Sequence, residues 1–137
     1  MAASFHLSLP CSSIKGTKEF YVNLLGASMG RHAQNWVDIN LYGNQITFTK
    51  AGKFDFNYPS YMFEGNVLPA FHFGIILDET SWKKVFDRLK SKNASLHADG
   101  IFLKDKTGEH HSFFINDPDG YTVEFKCFAK EDSVFES

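Results

Sequence analysis

At 137 residues the chain has the length of one ordinary domain, and 43% hydrophobic residues with 15 phenylalanines supply enough apolar surface for a packed core. Its 14 basic and 16 acidic side chains are spread along the sequence for a formal charge of -2, which leaves no cationic stripe for nucleic acid and keeps small neutral or anionic partners open. Cys11 and Cys127 are too few for a secreted disulfide framework and are expected as reduced, buried thiols. The start MAASFHLSLP lacks a cationic leader region, and no apolar run nears the ~18–20 residues of a membrane span, so a soluble, cytoplasmic protein is expected.

The first element is the short run Phe5-His6-Leu7-Ser8-Leu9, whose alternation sets Phe5, Leu7 and Leu9 on one face of a strand and His6 and Ser8 on the other. Ile14, Tyr21, Leu24 and Leu25 then recur at helical spacing, with Ser12 or Ser13 as N-cap and Gly26 as the left-handed stop. Alternating strands are predicted from Trp36 to Leu41 and from Gln45 to Thr49. Lys50 to Pro69, with two glycines, two prolines and five Phe and Tyr residues, reads as an ordered connection lying over something apolar.

The pattern then restarts. Ala70-Phe71-His72-Phe73-Gly74-Ile75-Ile76-Leu77 is a second apolar strand with a histidine near its head, opposing His72, Gly74 and Ile76 to Phe71, Phe73 and Ile75. A helix follows, capped by Thr80 or Ser81, with Trp82, Val85, Phe86 and Leu89 as its stripe and Asn93 in the role of Gly26. Strands are predicted over Ile101 to Lys104, His110 to Asn116 and Tyr121 to Phe128, the last fed by the tight turn Asn116-Asp117-Pro118-Asp119-Gly120. Each half is therefore strand, helix, then two or three strands, and Gly43 to Phe48 ends the first half as Gly120 to Phe125 ends the second.

A helix covering the large apolar face of each first strand leaves His6 and His72 on the far side of the sheet. Glu124 shares its strand face with Thr122 and Lys126, inside a run that is otherwise largely apolar. A buried carboxylate needs a partner, and a metal ion held with two imidazoles is one such partner. A lone strand histidine is ordinarily a packing residue. What singles out His6 and His72 is their position at matching points of an internal repeat. Two histidines and one carboxylate form the facial triad suited to a divalent metal, notably Fe(II), with open coordination positions. By strand parity Trp36, Asp38, Asn40, Gln45 and Thr47 would line the same cavity, and His110 shares its face with Ser112 and Phe114.

FHLSLP, FYVNLLG, AFHFGIIL and FFINDPDGYTVEFK, in this order and over essentially the whole chain, resemble the vicinal oxygen chelate superfamily of glyoxalase I, extradiol dioxygenases, fosfomycin-resistance and bleomycin-binding proteins, with small extradiol-type dioxygenases the nearest type. The resemblance implies an α+β fold of two tandem βαβββ modules whose curved mixed sheets surround a central metal and substrate cavity. The modules fall at about 4–50 and 70–130 of a single 1–137 domain, with the connection at about 51–69. It maps His6, His72 and Glu124 onto the family's metal ligands and implies a small-molecule substrate whose adjacent oxygens chelate the metal. It also implies a homodimer, since members of this size often dimerise, sometimes by exchanging modules.

Glyoxalase I usually adds an acid from the first module. Thr47 stands there and Gln45 two residues earlier, so the set looks more like that of an Fe(II) dioxygenase acting on a catechol-like substrate. The alternatives are a lyase or transferase of glyoxalase or fosfomycin-resistance type using Mn, Ni or Zn, and a non-catalytic binding protein of bleomycin-resistance type with aromatic walls. Where ring-cleaving members carry a catalytic tyrosine this chain has Phe114, which would only line the substrate cavity, so His110 or His111 is the candidate for proton transfer.

Overall fold

The computed structural model describes residues 3–137. The chain divides into two compact units, Met1–Phe56 and Asn57–Ser137.

In the first unit, β1 (His6–Cys11) is followed by a helix and by β2 (Ser28–His32), β3 (Trp36–Leu41) and β4 (Asn44–Lys50). The sheet order is β1-β4-β3-β2, with β1 parallel to β4 and the other pairs antiparallel. Leu9 and Cys11 are buried and His6 and Ser8 exposed, as alternation predicts, but Phe5 lies ahead of the ladder and is 61% exposed. The helix starts as α1 (Ile14–Lys18), with the Ser13 hydroxyl accepting from the Gly16 amide at 3.0 Å. It then widens into a π-helical turn over Glu19–Leu24, in which the Leu25 amide reaches back to the Phe20 carbonyl at 2.9 Å. That extra residue per turn rotates the stripe, so Thr17, Phe20, Tyr21 and Leu25 are buried while Ile14 and Leu24 are only half-buried. Tyr21 packs its ring 4.7 Å from that of Phe48, on the sheet face opposite Gln45 and Thr47. Gly26, at φ 83°, closes the helix. β3 and β4 meet in a two-residue turn, Tyr42 (φ 53°) and Gly43 (φ 88°), the left-handed pair that matches strand twist.

In the second unit the connection forms a hairpin, β5 (Ser60–Phe63) and β6 (Asn66–Pro69). Leu68 of the hairpin packs with Phe102 and Phe114 in a buried cluster, flanked by Phe63 and Ala98, so the expected apolar cover is present. β7 (Phe73–Ile76), α2 (Glu79–Ser91), β8 (Ala98–Phe102), β9 (His110–Asn116) and β10 (Thr122–Phe128) then give the order β7-β10-β9-β8, strand for strand the arrangement of the first sheet. A 3-10 turn over Glu131–Phe135 follows.

Several boundaries differ from the expectation. α2 begins one turn early because Asp78, not Thr80 or Ser81, accepts the Ser81 amide at 2.7 Å. β8 runs from Ala98 to Phe102, starting earlier than Ile101 and ending short of Lys104 because Leu103 and Asp105 adopt φ 55° and 62° and end pairing there. β7 starts at Phe73, so His72 sits just ahead of the ladder rather than within it. Trp82, Val85 and Leu89 of α2 are buried, the Trp82 Nε1 donates to the Phe125 carbonyl at 2.9 Å, and Asn93 takes φ 56° at the helix end. Cys11 is buried and Cys127 half-buried, and neither is in a disulfide. Among the described residues no helix is long and apolar enough to cross a membrane.

Candidate active site

The second sheet places its key side chains through register. β10 runs between β7 and β9, with Glu124 opposite Gly74 on one side and Phe114 on the other. Residues on this face of β9 are His110, Ser112 and Phe114, and the helix α2 covers the opposite face. Gly74 is required at its position because any Cβ would run into the Glu124 main chain. The close approach brings His72, two residues earlier, over the Glu124 carboxylate.

Glu124 is 6% exposed, and both of its oxygens are engaged. Oε1 lies 3.3 Å from His72 Nε2, while Oε2 accepts from the Ser112 hydroxyl at 2.7 Å and lies 3.6 Å from Lys126 Nζ. Burial alone would raise this carboxyl, but the His72 bond, the Lys126 charge and the Ser112 hydroxyl together hold it below its ordinary value. His72 is half-buried, and the same bond to Glu124 outweighs desolvation and raises the imidazole above its usual pKa. Its Nδ1 lies 3.0 Å from the Pro69 carbonyl, which accepts the Nδ1 proton, while Nε2 of the protonated ring donates to Glu124.

These groups open on a cavity of about 160 Å³ bordered by Tyr61, Phe63, Leu68, His72, Phe102, His110, Phe114, Glu124 and Lys126. Phe114 is buried there with its ring 5.4 Å from that of His72. His110 stacks on Phe102 at 5.5 Å, and its Nδ1 is 2.8 Å from the Gly108 carbonyl. His111 points the other way. It packs 4.2 Å from Trp82 on the helix-covered face and pairs with Asp99 at 3.2 Å, so the structure separates it from Glu124.

In the first unit, His6 is exposed on β1 opposite Gln45, and Ser8 faces Thr47. Asp38, 4% exposed on β3, accepts from Thr47 Oγ1 at 2.7 Å, Gln45 Nε2 at 3.0 Å and Arg31 Nε at 3.3 Å. Desolvation opposes the charge, yet these three donors and the Arg31 charge hold its pKa low. Arg31 also lies over Trp36, 5.7 Å from the ring centroid. Asn40 is committed to its turn, accepting the Gly43 amide at 2.7 Å. Asp38, Asn40, Gln45 and Arg31 border a separate recess of about 250 Å³ in this unit.

Among the described residues no group of three or more His, Cys, Asp or Glu side chains stands together as a metal site. The structure therefore brings His72 and Glu124 together as a pair and describes His6 within its own unit. Parity put Lys126 on the face of Glu124 and Ser112 on the face of His110 and Phe114, but the bonds of both to Glu124 carried no sequence signal. Tyr61, Phe63, Leu68 and Phe102 carry no sequence signal for this cavity, since they reach it through the hairpin and β8.

The family model of the Glyoxalase/Bleomycin resistance protein/Dioxygenase superfamily matches residues 4–125. The chain belongs to this superfamily. Its two four-stranded sheets with few helices give the α+β class expected of a glyoxalase-superfamily protein. A glyoxalase/bleomycin resistance protein/dioxygenase from Alicyclobacillus acidocaldarius has a similar structure, with TM-score 0.81, 21% identity, and coverage of 97% of this chain and 96% of that one. The fosfomycin resistance protein FosX from Listeria monocytogenes matches with TM-score 0.67 and 12% identity over 98% and 99% of the two chains. A variant of the same FosX, complexed with Mn(II) and 1S,2S-dihydroxypropylphosphonic acid, matches with TM-score 0.71 and 12% identity over 100% and 99%. At these identities the likeness concerns the fold. No curated protein matches the chain.

Proposed function

We propose that this superfamily member is a metal-dependent enzyme in which His6, His72 and Glu124 hold a divalent metal, Fe(II) as the first candidate, and that it acts as a dioxygenase on a small catechol-like substrate. The observation that carries the reading is the 3.3 Å between His72 Nε2 and Glu124 Oε1. Two cis ligands at about 2.1 Å from one ion lie about 3.0–3.4 Å apart, so these donor atoms already have the spacing of neighbours in a shared coordination sphere. Their supports are those of ligands as well: a carbonyl fixes the histidine tautomer and a hydroxyl orients the carboxylate. The third ligand, His6, would come from the first module of the same chain or of a second copy in a homodimer.

When bound, the metal supplies Lewis acidity, lowering the pKa of a substrate hydroxyl and orienting two adjacent oxygens in its open positions. The residues of the chain do the rest. Phe102, Phe114 and Leu68 exclude water and present flat apolar walls to a ring. Phe114 offers no hydroxyl, so His110 takes the proton-transfer role, with Nε2 available because Nδ1 is engaged by Gly108.

The test is anaerobic Fe(II) reconstitution followed by oxygen uptake on a catechol panel. No uptake on a broad panel sinks the ring-cleavage reading. Metal content should fall in His6→Ala, His72→Ala and Glu124→Gln, and retention in all three removes the metal centre. The FosX complex with Mn(II) favours a second reading, a lyase or transferase using Mn, Ni or Zn. Metal analysis of the purified protein with assays on methylglyoxal plus a thiol separates the two. Unchanged metal content and ligand binding in His72→Ala would point instead to a non-catalytic aromatic-binding protein.

A further inference from the structure

We propose that the ligand of the second-unit cavity carries an acid group in addition to its two chelating oxygens, making it an aromatic or enolic carboxylic acid, and that Lys126 recognises that acid. The inference rests on the metal-centre reading and concerns which substrates that centre accepts. Among the described residues bordering the cavity, Lys126 is the one lysine or arginine and Glu124 the one carboxylate. The Lys126 side chain is 28% exposed, with its amine 3.6 Å from Glu124 Oε2 and 5.8 Å from the Phe128 ring centroid. It is thus drawn inward along the cavity wall rather than extended into water.

Charge balance then sets the ligand. As metal ligands the histidines are neutral, so Glu124 and Lys126 cancel each other and a divalent ion leaves the cavity two positive charges in excess. A catechol chelating as a monoanion offsets one of them. Uncompensated charge in a largely apolar enclosure is costly, and a carboxylate on the same ring removes the remainder while meeting the Lys126 ammonium. If position 126 were uncharged, the monoanion alone would suffice. The aromatic walls of Phe63, Phe102 and Phe114 restrict the ligand to a flat body.

The experiment titrates the full-length protein, loaded with Mn(II), with catechol and with 2,3-dihydroxybenzoate by calorimetry, and measures metal content in parallel. Dihydroxybenzoate should bind about tenfold or more tightly than catechol, a difference of about 1.4 kcal/mol. Lys126→Met should bring that ratio to about one with metal content unchanged, and Lys126→Arg should keep most of it. Equal affinities in the unmodified protein, or a ratio that survives Lys126→Met, overturn the inference alone and leave the metal-centre reading intact. Loss of Mn(II) in Lys126→Met overturns it by showing that Lys126 serves the Glu124 carboxylate rather than the ligand. Binding of neither compound overturns it together with the catechol-like reading.

Discussion

Gly74→Ala tests how the candidate centre is assembled. Gly74 faces Glu124 across the parallel β7–β10 pair, and a methyl group there would stand 2.6 Å from the Glu124 carbonyl carbon and 2.9 Å from its nitrogen, with the carbonyl oxygen nearer still. Carbon atoms in contact sit about 3.5–4.0 Å apart, so β7 must withdraw by about 1 Å, and the obstacle is main chain that cannot rotate aside. Overpacking of this kind costs about 1–3 kcal/mol, and the unyielding neighbour places this case at about 3. For a chain of this length that corresponds to about 10 °C in Tm. The same withdrawal carries His72 away from Glu124 and opens the 3.3 Å pair beyond the reach of one ion. Metal affinity should fall by at least about 10–100-fold, the scale on which disturbed ligand support is felt. Urea unfolding gives the stability and competition with a chelating dye gives the affinity. An alanine variant with unchanged unfolding midpoint and metal affinity would refute both the strand contact and its role in pairing His72 with Glu124.

Asp38 has a folded pKa below its unfolded one, so its stabilisation is complete above the ordinary carboxylate range and is lost as pH falls through the folded value. Asp38→Asn should flatten the acid limb of a stability–pH profile and cost about 1–3 kcal/mol at neutral pH, because an amide nitrogen would face the Gln45 and Arg31 donors. Ser112→Ala removes the 2.7 Å bond to Glu124 and should weaken metal binding about 10–100-fold with circular dichroism unchanged, as read by metal titration. Trp82→Phe removes the 2.9 Å bond to the Phe125 carbonyl and should cost about 0.5–1.5 kcal/mol in urea unfolding, with the cavity face of the sheet undisturbed.

What was legible in the sequence was what alternation or helical period encodes. β9 coincides with His110 to Asn116, Glu124 falls on the face assigned to it, and Gly26 and Asn93 both adopt the left-handed conformation their positions demand. β2 escaped because all five of its residues are exposed, so no apolar alternation marks it and its pairing with β3 alone makes it a strand. The π-helical turn escaped because it leaves the apolar residues nearly in helical phase while shifting which of them face the sheet. The hairpin residues of the cavity are apolar in sequence whether they border a site or a core. His110 and His111 were equivalent candidates in composition, and strand parity alone divides them between the cavity and the helix-covered face.

The two sheets differ in how their donors surround the buried carboxylate, and on the proposed reading that difference decides which half would hold a metal. Thr47 stands in β4 where Glu124 stands in β10, since Thr47 pairs with Ser8 and Asp38 as Glu124 pairs with Gly74 and Phe114. Each half thus has one buried carboxylate on this face, Asp38 or Glu124, each with a hydroxyl and a cation beside it. The distribution of partners differs. Thr47 takes one Asp38 oxygen and Gln45 with Arg31 takes the other, so both are saturated by donors that a metal would have to displace. Ser112 and Lys126 both use Oε2 of Glu124, which leaves Oε1 to an imidazole that, once deprotonated, offers a lone pair to an ion in place of its proton. Asp38 therefore stiffens its sheet, and in the proposed centre the choice of Glu124 over Asp38 as a ligand would follow from where the donors stand.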